Sequence, residues 1–404
     1  MTRRPLGPGF RALYLGSLVT NTGDGIRLAA LPLLATTLTS SPLLISAVTA
    51  AQYLPWVTFA PVGGALVDRW ERRRIILVTQ AWRGLVLGVL AALVLTSRAE
   101  IWQICVVAFV ITVGEILVDP STVALVPTLV DDEDLDRANG RISSVEIITN
   151  DVAGAPVGAT LFAVAPWLPF VIDGATYLGS IIPFRRLPKA APKSLVDAER
   201  SLRAEAAEGF RFLRRHRVLG PLTAAFVVYY FGVAASLSLL VVMVTDELGG
   251  SEASFGLVLA IGAAGAFVGT LIGAPISARL GPQVALTCAV ALQAIALAAA
   301  AAATSTATLA ALWFLNGIPA GAMRPISRSL QQRLTPNRLL GRVNVTSRIF
   351  TRGIIVVGAL IAGAFATASG VRSAFVLAGI AQLVAAGMTW AALGRLRDSA
   401  PAQE

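Results

Sequence analysis

Gly64-Ala65-Leu66-Val67-Asp68-Arg69-Trp70-Glu71-Arg72-Arg73 joins two long apolar runs, at about 43–67 and about 74–96. Each run is as long as the roughly 20 residues that cross a hydrocarbon core. The decapeptide therefore reads as a tight turn at a membrane face. A glycine permits close helix packing, a carboxylate stands at the helix end, and a basic cluster fills the short loop.

Outward from this turn the pattern repeats. Twelve candidate spans run at about 12–38, 43–67, 74–96, 101–126, 141–165, 168–187, 219–244, 254–276, 283–304, 308–331, 342–367 and 372–394. Pro32, Pro55, Pro61, Pro120, Pro156, Pro275, Pro319 and Pro325 fall inside them. Helical bundles tolerate this because neighbours or water satisfy the freed carbonyls. The 404 residues are 55% hydrophobic and only 14% charged, where soluble chains carry closer to about a quarter charged. The expected class is an all-α membrane protein of twelve transmembrane helices in two pseudo-symmetric six-helix bundles.

Charge fixes the expected orientation. Arg3, Arg4, Arg11, Arg69, Arg72, Arg73, Arg74, Arg137, Arg141, Arg279, Arg333, Arg338, Arg342, Arg395 and Arg397 share one side with the basic run 185–217. The other side holds little beyond Arg98 and Arg372. The positive-inside rule then places both termini in the cytoplasm, for a multi-pass protein of the bacterial cytoplasmic (inner) membrane. The excess of 33 Lys+Arg over 23 Asp+Glu is accounted for by these loops, so no nucleic-acid partner is expected.

The long loop divides the chain into 1–187, a 188–218 linker and 219–404. Within the linker, Leu195, Leu202, Phe210 and Leu213 alternate with charge, as in an interfacial amphipathic helix. The halves echo each other. Asp119-Pro120 matches Arg324-Pro325, Asn139-Gly140-Arg141 matches Leu340-Gly341-Arg342, and Gly64-Ala65 matches Gly273-Ala274.

The opening decapeptide resembles the signature A motif of the major facilitator superfamily at its Gly64, Leu66, Asp68, Arg69, Arg72 and Arg73; Glu71 stands where the family pattern has glycine. Asn150-Asp151-Val152-Ala153-Gly154-Ala155-Pro156-Val157-Gly158 resembles a shortened motif C of the drug:proton antiporter branches. Small residues and a proline there would thin or bend the fifth span so that the opposite half approaches closely; ordinary helix packing is the plainer reading. Three further phrases, Asn21-Thr22-Gly23-Asp24-Gly25, Glu115-Ile116-Leu117-Val118-Asp119-Pro120 and Asp136-Arg137-Ala138-Asn139-Gly140-Arg141, look like the branch of the enterobactin exporter and macrolide-efflux proteins. The resemblance covers essentially the whole chain. It implies rocker-switch alternating access and substrate export driven by proton entry.

Ionisable groups inside a bilayer are costly and usually face the bundle interior. Asp24 lies about 18 Å along the first span, near the midplane, with Arg27 on the same face. Glu115 and Asp119 stack four apart on the fourth. In the resembled fold the first, fourth, seventh and tenth helices line the cavity, so Asp24, Arg27, Glu115, Asp119 and Arg324 would reach it. Asp24 or Glu115 is the candidate protonation site, since burial and a changing Arg partner oppose each other in setting a carboxylate's protonation. A static ion pair is the alternative for either. Asp119 is expected to contact Arg72 or Arg73 and, with Asp68, to latch the cytoplasmic side. Asp151 and Arg352 occupy mirrored positions, serving either substrate passage or local pairing. Arg83 and Asp173 fall on helices expected to be peripheral, where structural pairing is favoured.

Cys105 and Cys288 lie in apolar segments and the single His216 in a basic loop. This leaves no metal cluster, no catalytic residues and no cofactor to expect. No phosphate-binding Walker loop occurs. The expected partners are a small-molecule substrate, protons and membrane lipid, with the chain acting as a monomer. Uptake or lipid movement on the same fold is the alternative; a receptor or membrane enzyme is the third class.

Overall fold

The computed structural model describes residues 6–60, 63, 66–67, 70–189 and 202–397. Gly64, Asp68 and Arg69 of the opening motif lie outside them, as does Leu195. The described residues are helical with no strand. The helices are α1 (Pro8–Leu38), α2 (Pro42–Thr58), α3 (Arg72–Leu95), α4 (Ile101–Leu129), α5 (Leu135–Val145), α6 (Ala155–Val164) and α7 (Leu168–Phe184). They continue as α8 (Leu202–Arg215), α9 (Leu219–Val242), α10 (Glu252–Ala301), α11 (Thr306–Leu334), α12 (Leu340–Ser369) and α13 (Val371–Arg397). A π-helical stretch, Glu146–Gly154, joins α5 to α6 into one span.

Local chemistry sets the ends. Glu100 and Gln103 form a reciprocal capping box at the start of α4, with the Glu100 amide donating to Gln103 Oε1 at 2.9 Å. Ser251 and Ser305 cap α10 and α11 by accepting from the amides of Ser254 (3.3 Å) and Thr308 (3.2 Å). The 50-residue α10 is broken at Gly281 (φ 79°, ψ 155°) into two arms with no loop between them. A side chain there would be strained by the positive φ.

With α5–α6 counted once, the two arms of α10 counted separately and α8 set aside, twelve spanning segments result. α3, α4, α5–α6, α9, α10, α12 and α13 are long and apolar enough to cross a membrane on length and composition alone. α2 and α7 fall short of that on length, at 17 residues each. Leu85, Val123 and Val164, with Leu271, Ile295 and Leu383, are largely exposed, as lipid-facing residues are.

The chain splits into two compact units, one within 1–39 and 51–200, the other within 40–50 and 201–404. In the first, α1 packs against α7, α6 and the π-helical stretch, while α3 packs against α4 and α7. In the second, α10 packs against α11 and α13, and α9 against α12 and α13. Residues 40–50 cluster with this second unit, where Ser46 Oγ donates to Ser238 Oγ at 3.4 Å.

The linker holds a helix, α8, whose described apolar residues divide: Leu213 is covered by protein, while Phe210 stays 46% exposed. Leu213 is buried with Leu219, Leu339 and Val343 against the start of α12. Phe210 stacks on Phe350 at 5.8 Å between ring centroids, and Glu208 pairs with Arg342. The side chain of Leu202 lies outside the described residues. Amphipathicity announces that a face needs covering, not whether lipid or protein covers it.

Candidate functional site

The ionisable residues of the first unit converge. Arg27 Nη2 donates to Asp24 Oδ1 (2.6 Å) and to Glu115 Oε1 (2.9 Å), and its Nε donates to Asp173 Oδ2 (3.0 Å). Arg83 Nη2 reaches the same two oxygens, Asp24 Oδ1 at 3.1 Å and Glu115 Oε1 at 3.5 Å. It also donates to the Tyr177 hydroxyl, which in turn donates to Asp24. Arg83 Nη1 faces Gln80 Oε1 at 3.4 Å, and Gln80 donates onward to Ser180 Oγ at 3.0 Å. One network thus ties α1, α3, α4 and α7.

Arg27 and Arg83 are 3% and 2% exposed, and Asp173 is 0%. Asp24 at 17% and Glu115 at 25% are the members open to the outside. Each open carboxylate shares one oxygen between both guanidiniums. Buried ion pairs of this kind stand only if the remaining donors and acceptors are satisfied. Most are; Arg83 Nε and Asp173 Oδ1 are buried without a hydrogen-bond partner.

Glycines make the room. A Cβ on Gly114 would meet Arg83 Cδ at 2.6 Å, so the Arg83 stem lies across α4 where no side chain stands. A Cβ on Gly23 would collide with Asp173 Oδ1 and Thr176 Oγ1. A Cβ on Gly25 would meet the backbone of Thr149 and Asn150 (Asn150 Cα at 2.8 Å) and of Gly154. Gly158 packs on the backbone of Ile26. The glycines flanking Asp24 thus admit a carboxyl on one side and a helix backbone on the other.

Of the sequence candidates, the structure brings together Asp24, Arg27 and Glu115. Arg83 and Asp173, expected to pair apart on peripheral helices, join the same network, and Gln80 and Tyr177 were missed. The available signal was spacing: Gln80–Arg83 and Asp173–Tyr177 repeat the three- and four-residue steps that stack side chains on one helix face. Gly154 and Gly158 pack on the backbone of α1 within their own unit, and Pro156 sits half-buried beside them.

Asp119 lies one turn beyond Glu115 with its side chain exposed, and the expected pair with Arg72 or Arg73 is not formed among the described residues. Arg72 Nη1 instead donates to the Ala124 carbonyl at 3.4 Å, tying the start of α3 to α4. Arg73 is half-buried. The side chain of Asp151 lies outside the described ones, its backbone being in the π-helical stretch. Arg324 on α11 is exposed and Arg352 on α12 half-buried, both in the second unit.

Comparison with known proteins now adds to this geometry. The multidrug efflux pump Tap of Mycobacterium bovis is 25% identical over 406 residues, covering 97% of this chain and 94% of Tap. Macrolide efflux protein A of Streptococcus pyogenes is 25% identical over 268 residues; the match spans 65% of each chain. A bacterial homologue of the iron transporter ferroportin superposes with a TM-score of 0.78 at 17% identity, over 96% of this chain and 99% of its own. That likeness shows the fold, the twelve-helix major facilitator fold, and nothing of the cargo. The profile of the transmembrane secretion effector family matches residues 5–401. The chain therefore belongs to that family of major facilitator superfamily membrane transporters, proteins that move solutes and are not enzymes.

Proposed function

We propose that this chain is a proton-coupled exporter of amphipathic small molecules, drug-, macrolide- or siderophore-like, working by alternating access. The observation that carries the reading is that Asp24 and Glu115, the two open carboxylates, compete for the same pair of buried guanidiniums. A proton arriving on either carboxylate weakens its hold on Arg27 and Arg83 and leaves both cations to the other. Proton arrival thus becomes a change of partner between α1 and α4. Export as the direction is supported by the efflux names of the relatives.

The same reading has the bundles at 1–187 and 219–404 rocking about the 188–218 linker. It places both termini in the cytoplasm of a bacterium and has the chain act as a monomer in lipid. The opening motif, with Gly64, Asp68, Arg69, Arg72, Arg73 and Asp119, would gate the cytoplasmic side. Asp151, Arg324 and Arg352 are the candidate groups along the substrate path.

The test is accumulation of macrolides, tetracyclines, dyes and siderophore precursors in cells with and without the protein, each with and without a protonophore. Lower accumulation that the protonophore abolishes is expected. Higher accumulation in expressing cells would sink export, and indifference to the protonophore would sink proton coupling. Asp24→Asn and Glu115→Gln are each expected to remove the proton-driven component. Coupling that survived in both variants would leave the pair a static bridge.

A further inference from the structure

The second unit sorts its charges by sign. From Ala253 to Arg397 the chain has no aspartate or glutamate. Over the same stretch Arg324 and Arg328 fall inside α11, and Arg348 and Arg352 inside α12. The described acids of this unit stand elsewhere. Asp246, Glu247 and Glu252 lie where α9 ends and α10 begins, close to the start of α11: a Cβ on Gly250 would meet Thr306 Cγ2. Glu247 is held there by Arg372 at 3.0 Å, and Glu208 on α8 is held by Arg342. The spans of the first unit mix the signs, with Asp24, Glu115, Asp119, Glu146, Asp151 and Asp173 beside Arg27 and Arg83.

Arg324 lies about 15 Å, and Arg328 about 9 Å, from the Leu334 end of α11. Four apart, they share a helix face, so both can serve one anion. A cation at such depth is costly unless it faces the bundle interior or a water-filled path. Both side chains are exposed, and neither guanidinium makes a hydrogen bond or ion pair with another described residue. Arg324 lies within electrostatic range of Tyr229 on α9, which Gln293 on the second arm of α10 also faces. Tyr229 meets the half-buried Tyr230 edge-on, with ring centroids 5.1 Å apart. Gln293 is 3% exposed, and its Oε1 is buried without a partner. A guanidinium, two phenols and an amide thus meet from three helices. Together they offer N–H donors and charge for an oxyanion, and rings for the apolar body attached to it.

We propose that the cargo is an amphipathic anion whose oxyanion head, a carboxylate or sulfonate, is bound by Arg324, with Arg328 one turn nearer the helix end meeting it first. This rests on the export reading above and narrows it to acidic molecules; a cationic drug would meet like charge here.

Three probes that share one body test it: pyrenebutyrate, pyrenebutanol and pyrenebutylamine, with the full chain in phosphatidylcholine nanodiscs. Fluorescence anisotropy, with empty discs subtracted, gives each affinity. The anion is expected to bind about tenfold more tightly than the alcohol, the worth of one charge-assisted contact, and the amine more weakly than the alcohol. Arg324→Gln is expected to erase that preference and leave the alcohol unchanged. Arg328→Gln is expected to reduce it by about threefold, as an exposed pair would. Arg324→Lys keeps the charge but not the two-pronged grip, so a preference of about threefold is expected to remain.

Equal affinities for anion and alcohol in the wild type overturn the assignment. So does a preference that survives Arg324→Gln, or a loss in that variant shared by the alcohol, which would make Arg324 a partner of the protein's own carboxylates. If Arg324→Gln fails to fold, an undiminished preference in Arg324→Lys overturns it instead. Replacing part of the phosphatidylcholine by phosphatidylglycerol is expected to leave the probe bound; its displacement would make this a lipid-headgroup site. Binding is read at equilibrium, without transport. Equal affinities alongside protonophore-sensitive efflux of pyrenebutanol would sink the anion and spare the exporter, whereas an Arg324-dependent preference without any efflux would do the reverse.

Discussion

The two units solve the same problem, holding helices together where lipid offers no hydrophobic drive, with opposite means. In the first unit α1, α3, α4 and α7 meet through guanidiniums, carboxylates, a phenol and an amide. In the second, the first arm of α10 and α11 meet backbone to backbone. A Cβ on Gly265 would meet Phe314 Cα at 3.2 Å, one on Gly269 would meet Ile318 C at 2.7 Å, and one on Gly321 would meet Ala266 Cα at 2.9 Å. Gly265, Gly269 and Gly273 recur every fourth residue along that face, and Gly317 and Gly321 answer them. The lesson is that pseudo-symmetric sequence halves need not share a source of cohesion. One unit concentrates its interior chemistry at ionisable groups that can change state. In the other, the first arm of α10 and α11 are held by backbone contacts that cannot.

The largest expected effect breaks the first unit's solution. Arg27→Met removes the partner of three carboxylates, and losing one member of a buried ion pair costs about 3–5 kcal/mol. Unfolding in detergent should come at a markedly lower temperature, whereas Arg324→Met, at an exposed site of the second unit, should stay within about 0.5 kcal/mol. Equal losses in the two variants would abolish the contrast.

A smaller effect probes the second unit. Gly269→Ala adds one methyl against the Ile318 carbonyl and should cost about 1–3 kcal/mol by overpacking. Gly387→Ala adds the same methyl where nothing stands within 4 Å and should be neutral within about 0.5 kcal/mol. If thermal unfolding ranks the two alike, backbone contact is not what binds these helices.

The smallest effect sharpens the comparison at the one histidine, outside the spans. His216 Nδ1 accepts from the amides of Val218 (3.2 Å) and Leu219 (3.0 Å), capping α9. Burial lowers its affinity for protons below the ordinary value of 6.5, against a hydrogen bond to the Leu334 carbonyl that favours the charged form. Since the unfolded chain then binds the proton more readily, the stabilisation is complete above 6.5 and is lost as pH falls below it. His216→Ala should lose about 0.5–2 kcal/mol of cap and flatten that acid-side decline; a decline of unchanged steepness in the variant would assign it to other groups.

The sequence makes the spans legible because apolar length is a one-dimensional property. It also exposes Asp24, Arg27 and Glu115, since an ionisable residue deep in an apolar run is conspicuous. What it conceals is azimuth. Whether Arg83 and Asp173 turn inward depends on how α3 and α7 are rotated, and the Gly84–Gly174 contact that seats them (Gly174 carbonyl 3.0 Å from a Cβ on Gly84) is long-range. The π-helical stretch at Glu146–Gly154 is hidden for a related reason. A wider turn leaves composition untouched and changes only where each side chain points. The partner of α8 is hidden because an amphipathic pattern names a face and not its cover.

Gly281 carries a mechanical consequence. Between the arms of α10 there is no slack: the turn is made by the φ and ψ of that single residue. Any swing of one arm against the other is thus confined to rotation about two bonds, and twisting one arm must drag its companion. Two membrane crossings behave as one V-shaped strut, whose opening angle is stored in a single glycine.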